Sequence, residues 1–153
     1  MAGKALRKSP VSAKTSLSRS PRVFLSYNSS DRDVATRFSE KLLTAGYQVA
    51  NPAELVGPGE NWLLVVGNAL KNADAVVFLL SSSSVRSDTT TRELEYVLST
   101  SRFKDRVIPV VLDANVALPW ILRRLPLVTV GKTPADDIDR AAKAVVRTLD
   151  QRL

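Results

Sequence analysis

Short, continuously apolar runs alternate along this chain with longer segments whose apolar residues recur every three or four positions. The first run, 22–27 (RVFLSY), reads as a buried strand, and Ser30 or Asp31 then offers an N-cap. Val34, Phe38 and Leu42, with Ala35 and Ala45 beside them, share one face of a helix that ends before Gly46. Residues 47–50 predict a short second strand, and 51–60 (NPAELVGPGE) a turn-rich loop. A helix over 61–72 precedes 75–81 (AVVFLLS), whose unbroken apolar character marks a central strand covered on both faces. Four serines, Ser81 to Ser84, separate it from a helix expected over 89–101.

The second half repeats the alternation. Residues 107–112 (VIPVVL) form a fourth strand, placed toward the sheet edge by Pro109, which cannot donate to a ladder. A short helix is expected around Trp120, a last strand over 127–130, and a final helix opened by Pro134. In that helix Ile138, Ala141, Ala142, Val145, Leu149 and Leu153 keep helical spacing. Asp136, Asp137 and Asp139 near its start, and Arg147 and Arg152 near its end, suit the macrodipole. Five strands alternating with helices predict an α/β fold: a flavodoxin-like, five-stranded parallel sheet in the order 2-1-3-4-5 with helices on both faces. The 153 residues suffice for one such domain, over 22–153.

Charge divides the chain differently. The total of 22 basic against 15 acidic residues gives +7, which by itself suggests a nucleic-acid binder. Lys4, Arg7, Lys8, Lys14, Arg19 and Arg22 are six of those 22, with no acid among them, which leaves 16 against 15 for the rest. Five of these six lie in a Ser-rich leader, residues 1–21, to which the basicity therefore mostly belongs, and which is expected to be disordered because it has too few large apolar groups to offset its ordering entropy. Nucleic acid is not an expected partner except through this leader. A transit-peptide reading is opposed by Pro10, which interrupts the amphipathic helix such a peptide needs.

Composition narrows the chemistry. With no Cys and no His, disulfides, thiolate or imidazole metal sites, a cysteine nucleophile and a Ser-His-Asp triad are excluded, so no metal is expected. No apolar run approaches the roughly 18–20 residues of a membrane span, and no secretory h-region is present, so a cytoplasmic location is expected. Gly57-Pro58-Gly59 lacks the third glycine of a dinucleotide fingerprint, and no Gly-Lys-Ser/Thr loop exists for a P-loop. Asp31 and Asp33 lie behind SYNSS rather than at the strand end, a poor fit to a phospho-acceptor receiver.

In such a sheet ligands bind beyond the carboxyl ends of the strands, near the order switch. That selects Ser26 to Ser30 after strand one, Asn51 to Trp62 after strand two, and Ser81 through the start of the helix after strand three. Ser82 and its neighbours suit ribose or phosphate contact, although a polar strand exit explains them equally. On the third helix Glu93 and Glu95 each lie about 100° from Leu94, on opposite sides, and periodicity alone leaves both open.

The ordered set of segments 22–49 (RVFLSYNSSDRDVATRFSEKLLTAGYQV), 56–62 (VGPGENW), 68–98 (NALKNADAVVFLLSSSSVRSDTTTRELEYVL) and 106–112 (RVIPVVL) resembles a TIR domain (Toll/interleukin-1 receptor domain) of bacterial style. This resemblance implies cleavage of NAD, as substrate rather than cofactor, to nicotinamide and a linear or cyclic ADP-ribose product. The expected setting is immune signalling, antiphage defence or NAD depletion. It implies Glu93, in Arg92-Glu93-Leu94-Glu95, as the catalytic carboxylate. Ser26, Tyr27, Asn28, Trp62, Ser82 and Thr89 become expected substrate contacts. It also implies self-association with other TIR domains through the loop Val56, Gly57, Pro58, Gly59 and Glu60, in a homo-oligomer. Two departures stand out: Thr89 and Thr90 occupy positions where relatives often carry Trp and Cys, and Asn51-Pro52-Ala53-Glu54 is a thinned version of an acidic-aromatic cluster. Two further readings accompany this one, a non-catalytic TIR–TIR interaction module and a nucleoside deoxyribosyltransferase-like hydrolase.

Overall fold

The computed structural model describes residues 20–51, 59–125, 127–130 and 134–153. The first strand, β1 (Arg22–Ser26), starts where the chain's polarity changes. It is pinned at its base by the Arg22 amide donating to Asp74 Oδ2 at 2.8 Å, and the Pro21 carbonyl accepts from the Gln48 amide at 2.9 Å. Next come a 3-10 turn (Ser29–Asp31) and helix α1 (Arg32–Thr44). The chain then turns at Gly46, whose φ of +98° suits glycine, and enters β2 (Gln48–Ala50). Helix α2 (Trp62–Lys71), β3 (Ala75–Leu80), the one-turn α3 (Ser82–Val85) and α4 (Asp88–Ser99) follow. The last part comprises a 3-10 turn (Ser101–Phe103), β4 (Val107–Val111), a 3-10 turn (Trp120–Arg124), β5 (Val128–Thr129) and α5 (Pro134–Arg152).

The strands form one parallel sheet in the order β2-β1-β3-β4-β5, as the alternation of elements predicts. Side chains alternate between its faces and so divide the core in two. Val23 and Leu25 of β1, with Ala75, Val77 and Leu79 of β3, pack against Phe38 and Leu42 of α1 and Ala142, Val145 and Leu149 of α5. Phe24, Val76, Phe78 and Leu80 face the other way, against Val66 and Leu70 of α2, Leu94 and Val97 of α4, and Phe103 and Leu122. Every residue of β3 is buried, which is why its sequence shows no alternation.

Tertiary context changes several local readings. Asp31 stands at the N-cap of α1, as expected, but makes no side-chain cap bond there; the side-chain cap is made by Asn28 at the head of the preceding 3-10 turn, where its Oδ1 accepts from the Ser30 amide at 3.0 Å. Tyr47 stands just outside β2, where its buried hydroxyl donates to Asp150 on α5; burial, and then that carboxylate, hold the phenol's pKa above its usual range. The serine segment is helical, as α3, and α4 begins at Asp88 and ends at Ser99, two residues short of the expected end. Leu98 stands one position after the buried Val97 on α4, and is 38% exposed although helical spacing from Leu94 predicts it on the buried face. Strand β4 lies toward the sheet edge, one strand in from it, as expected. Its Leu112 amide donates to Leu80 and its Val111 carbonyl accepts from Val130, so Pro109 turns its missing donor toward β5. That two-residue strand begins pairing only at Val110, and no ladder bond is interrupted.

The expected boundary near Pro21 yields a test. The sheet's first ladder bond uses the Pro21 carbonyl, so a chain starting at Ser20 keeps every bond of β1. Its urea midpoint is expected to match that of the full chain; a clear fall would place part of the leader in the folded unit.

Candidate functional site

Because β1 and β3 are adjacent, with Ser26 paired to Phe78, their exits open on one crevice while α1 and α4 leave on opposite faces. Ser26, the last residue of β1, points to the α4 side. Its hydroxyl donates to Glu93 Oε1 at 2.6 Å, a bond between residues 67 positions apart and both buried. Glu93 is only 2% exposed, and its Oε2 is buried with no hydrogen-bond partner among the described residues. Burial pushes its pKa up to about 7 from 4.5, against the smaller lowering effect of the Ser26 hydrogen bond. Glu95, its rival by periodicity, is exposed. Packing separates the two, since Leu94 and Val97 anchor α4 and turn Glu93 inward.

A second link crosses the crevice. Ser81, just beyond β3, donates its hydroxyl to Asp31 Oδ2 at 2.6 Å and accepts from the Ser84 amide at 3.2 Å. Ser84 Oγ in turn accepts from the Ser81 amide at 2.8 Å, completing a capping box around α3. The loop after β1 is thus tied to the loop after β3, a function of Asp31 that no local pattern announces. Among the described residues no group of three or more Asp and Glu side chains is arranged to hold a metal ion.

The profile described as TIR domain matches residues 23–146, most of the chain. The chain belongs to the TIR-domain family. Solved structures agree on the fold. A prokaryotic SEFIR domain is similar at 20% identity and a TM-score of 0.65, covering 84% of this chain and 98% of that one. The TIR domain of a Toll-related receptor from the lower metazoan Hydra magnipapillata is similar at 18% identity and a TM-score of 0.66, over 85% of this chain and 95% of that one. A metazoan TIR-STING receptor from C. gigas, solved in complex with 2',3'-cGAMP, is similar at 23% identity and a TM-score of 0.65, over 81% of this chain and 39% of that one. A comparison with curated proteins finds no match. TIR domains typically self-associate or bind other TIR domains. Among the described residues of this one, no helix is long and apolar enough to cross a membrane.

The residues singled out from the TIR sequence fall into three groups. Ser26 and Glu93 are in direct contact. Tyr27 and Asn28 are half-buried at the β1 exit, with Asn28 Oδ1 occupied by the amide and hydroxyl of Ser30; Ser82 is half-buried in the first position of α3. Thr89 is exposed on α4, whereas Thr90 is buried on the Glu93 face. Trp62 opens α2, but its side chain lies outside the described residues, as do Val56, Gly57 and Pro58; Gly59 (φ +79°) and Glu60 are exposed. Ser81→Ala would remove both the cap and the tie to Asp31. It is expected to lower stability by about 1–2 kcal/mol in urea unfolding, with Ser83→Ala, outside the capping box, close to neutral.

Proposed function

We propose that this TIR domain cleaves NAD at the nicotinamide–ribose bond, with Glu93 as the carboxylate that meets the developing ribosyl cation. The observation that carries the reading is the Glu93 carboxyl: buried beyond the strand ends, held through one oxygen by Ser26, with the other oxygen given no partner by the described residues. A buried acid left half-satisfied costs stability, and such groups concentrate at sites of chemistry. The reaction also suits a chain without His or Cys. The C1′–N bond breaks with its electron pair going to the pyridinium nitrogen, so nicotinamide departs neutral and needs no general acid. The ribose carbon is left with oxocarbenium character that a carboxylate stabilises. Water then adds at C1′ and releases a proton, giving ADP-ribose; internal capture would give a cyclic product instead.

A nearly closed site favours dependence on assembly. With Glu93 only 2% exposed, substrate reaches it only if the crevice opens. Rearrangement at a contact with a second TIR domain, through the loop ending at Gly59 and Glu60, supplies such an opening. The same burial, together with an exposed Thr89 where relatives often place Trp, favours a second reading, a non-catalytic TIR–TIR interaction module. Nicotinamide release from NAD, measured over a range of protein concentrations, separates the two. Turnover that rises more steeply than protein concentration and disappears in Glu93→Gln supports the enzyme. No turnover at any concentration, with self-association intact, supports the module.

A further inference from the structure

We infer that Ser26 is a positioning residue, which fixes one oxygen of the Glu93 carboxylate so that the other is presented to the ribosyl carbon. The inference rests on the NAD-cleaving reading of Glu93 and assigns Ser26 a task different from substrate contact. Three features of the geometry lead to it. The Ser26 hydroxyl donates to Glu93 Oε1 at 2.6 Å, the distance expected for a hydroxyl donating to a carboxylate and shorter than an ordinary neutral hydroxyl bond. Both residues are at least nine-tenths buried, so water does not replace the bond. Ser26 also ends a strand whose ladder to β3 is continuous from Val23 to Ser26, and its Cα is therefore as fixed as the sheet itself. A glutamate with three side-chain torsions, on a helix packed through Leu94 and Val97, has no other anchor for its carboxyl group among the described residues.

The electrostatics run the same way. The Ser26 bond favours the ionised carboxylate, opposing burial, which favours the neutral acid. The ionisable neighbours on α4, Arg92 and Glu95, are exposed, and Asp31 across the crevice is engaged by Ser81. Ser26 is thus the polar group that keeps the carboxylate available near neutral pH.

The test compares the full-length chain with Ser26→Ala and Ser26→Thr. Nicotinamide release is followed from pH 5 to 9, and the Glu93 carboxyl carbon is titrated by NMR with 13C-labelled glutamate. For Ser26→Ala, kcat is expected to fall about 10-fold or more with KM changed less than about 2-fold, since the substrate loses no contact of its own. The Glu93 midpoint is expected to move upward. Ser26→Thr keeps the hydroxyl on a residue that strands favour, and is expected to recover most of the kcat and the original midpoint. A folded Ser26→Ala protein with unchanged kcat and unchanged Glu93 midpoint overturns the inference, and so does a loss confined to KM. If the unmodified chain releases no nicotinamide, the NAD reading fails. The titration then decides alone: an unchanged midpoint in Ser26→Ala shows that Ser26 does not hold the carboxylate.

Discussion

Replacing Glu93 with glutamine is expected to abolish turnover and stabilise the fold at the same time. Glutamine has the same shape and can still accept the Ser26 hydrogen, so packing of α4 is preserved. It cannot carry the negative charge that opposes an oxocarbenium ion, and nicotinamide release is expected to fall at least about 100-fold. Stability moves the other way. Glu93 titrates near 7 in the folded chain, above its ordinary value of 4.5, because burial disfavours the anion. Well below pH 4.5 the group is protonated in both states and carries no ionisation penalty. Between 4.5 and about 7 the folded state holds a proton that the unfolded chain has released, so stability falls as pH rises; above about 7 the full penalty remains, about 3 kcal/mol. The glutamine side chain of the variant does not titrate. Its advantage over the parent should therefore grow by about 3 kcal/mol from about pH 4 to about pH 8, or roughly 6–12 °C in Tm for a domain of this size. Parallel melting curves at the two pH values check this. A pH-independent difference would mean that the Glu93 carboxyl is not held in a desolvated place.

The second large effect concerns the floor beneath the site. Phe78 is fully buried at the centre of β3, opposite Ser26 in register, and packs in the cluster that contains Phe24, Leu70, Leu94 and Val97. Phe78→Ala would leave a cavity within a cluster built by two helices and the sheet, to which α4 contributes Leu94 and Val97. A loss of about 3–5 kcal/mol is expected, a large share of the roughly 5–15 kcal/mol that stabilises a domain. Urea unfolding should show an earlier midpoint with an unchanged slope. Where the variant remains folded and the proposed activity holds, the loosened α4 should also lower turnover, because the Glu93 carboxylate depends on that helix for its position. Phe78→Leu, which fills most of the space, should recover much of both. A Phe78→Ala protein as stable as the parent would mean that the cluster relaxes to fill the gap, and that α4 is held elsewhere.

Periodicity identified every strand and the four long helices because the core is built from contiguous runs. Phe38 and Leu42 recur at helical spacing, and β3 is apolar throughout because both its faces are covered. The ends were harder to read. Tyr47 looks like a strand residue, but Asp150, 103 positions away, captures its hydroxyl. Asp31 looks like a cap, but its carboxylate is bonded to Ser81 across the crevice. In each case a polar group with a local option takes a distant partner, and local patterning carries no record of distant partners.

The division is sharpest at the site. Patterning along the chain was enough for the alternation of strands and helices, the near-neutral body behind a basic leader, the absence of thiol and imidazole chemistry, and the helix on which a glutamate is offered. It left Glu93 and Glu95 equivalent, each about 100° from Leu94 on a helical wheel. Packing distinguished them, because a helix face becomes an interior only when something lies against it. The sheet order 2-1-3 puts Ser26 beside the middle of α4, Leu94 and Val97 seat that helix in the cluster that also holds Phe78, and the carboxyl one residue before Leu94 is enclosed. Burial and the pairing of residues 26 and 93 are properties of this three-dimensional neighbourhood, and they turn one of two similar acids into a candidate for chemistry.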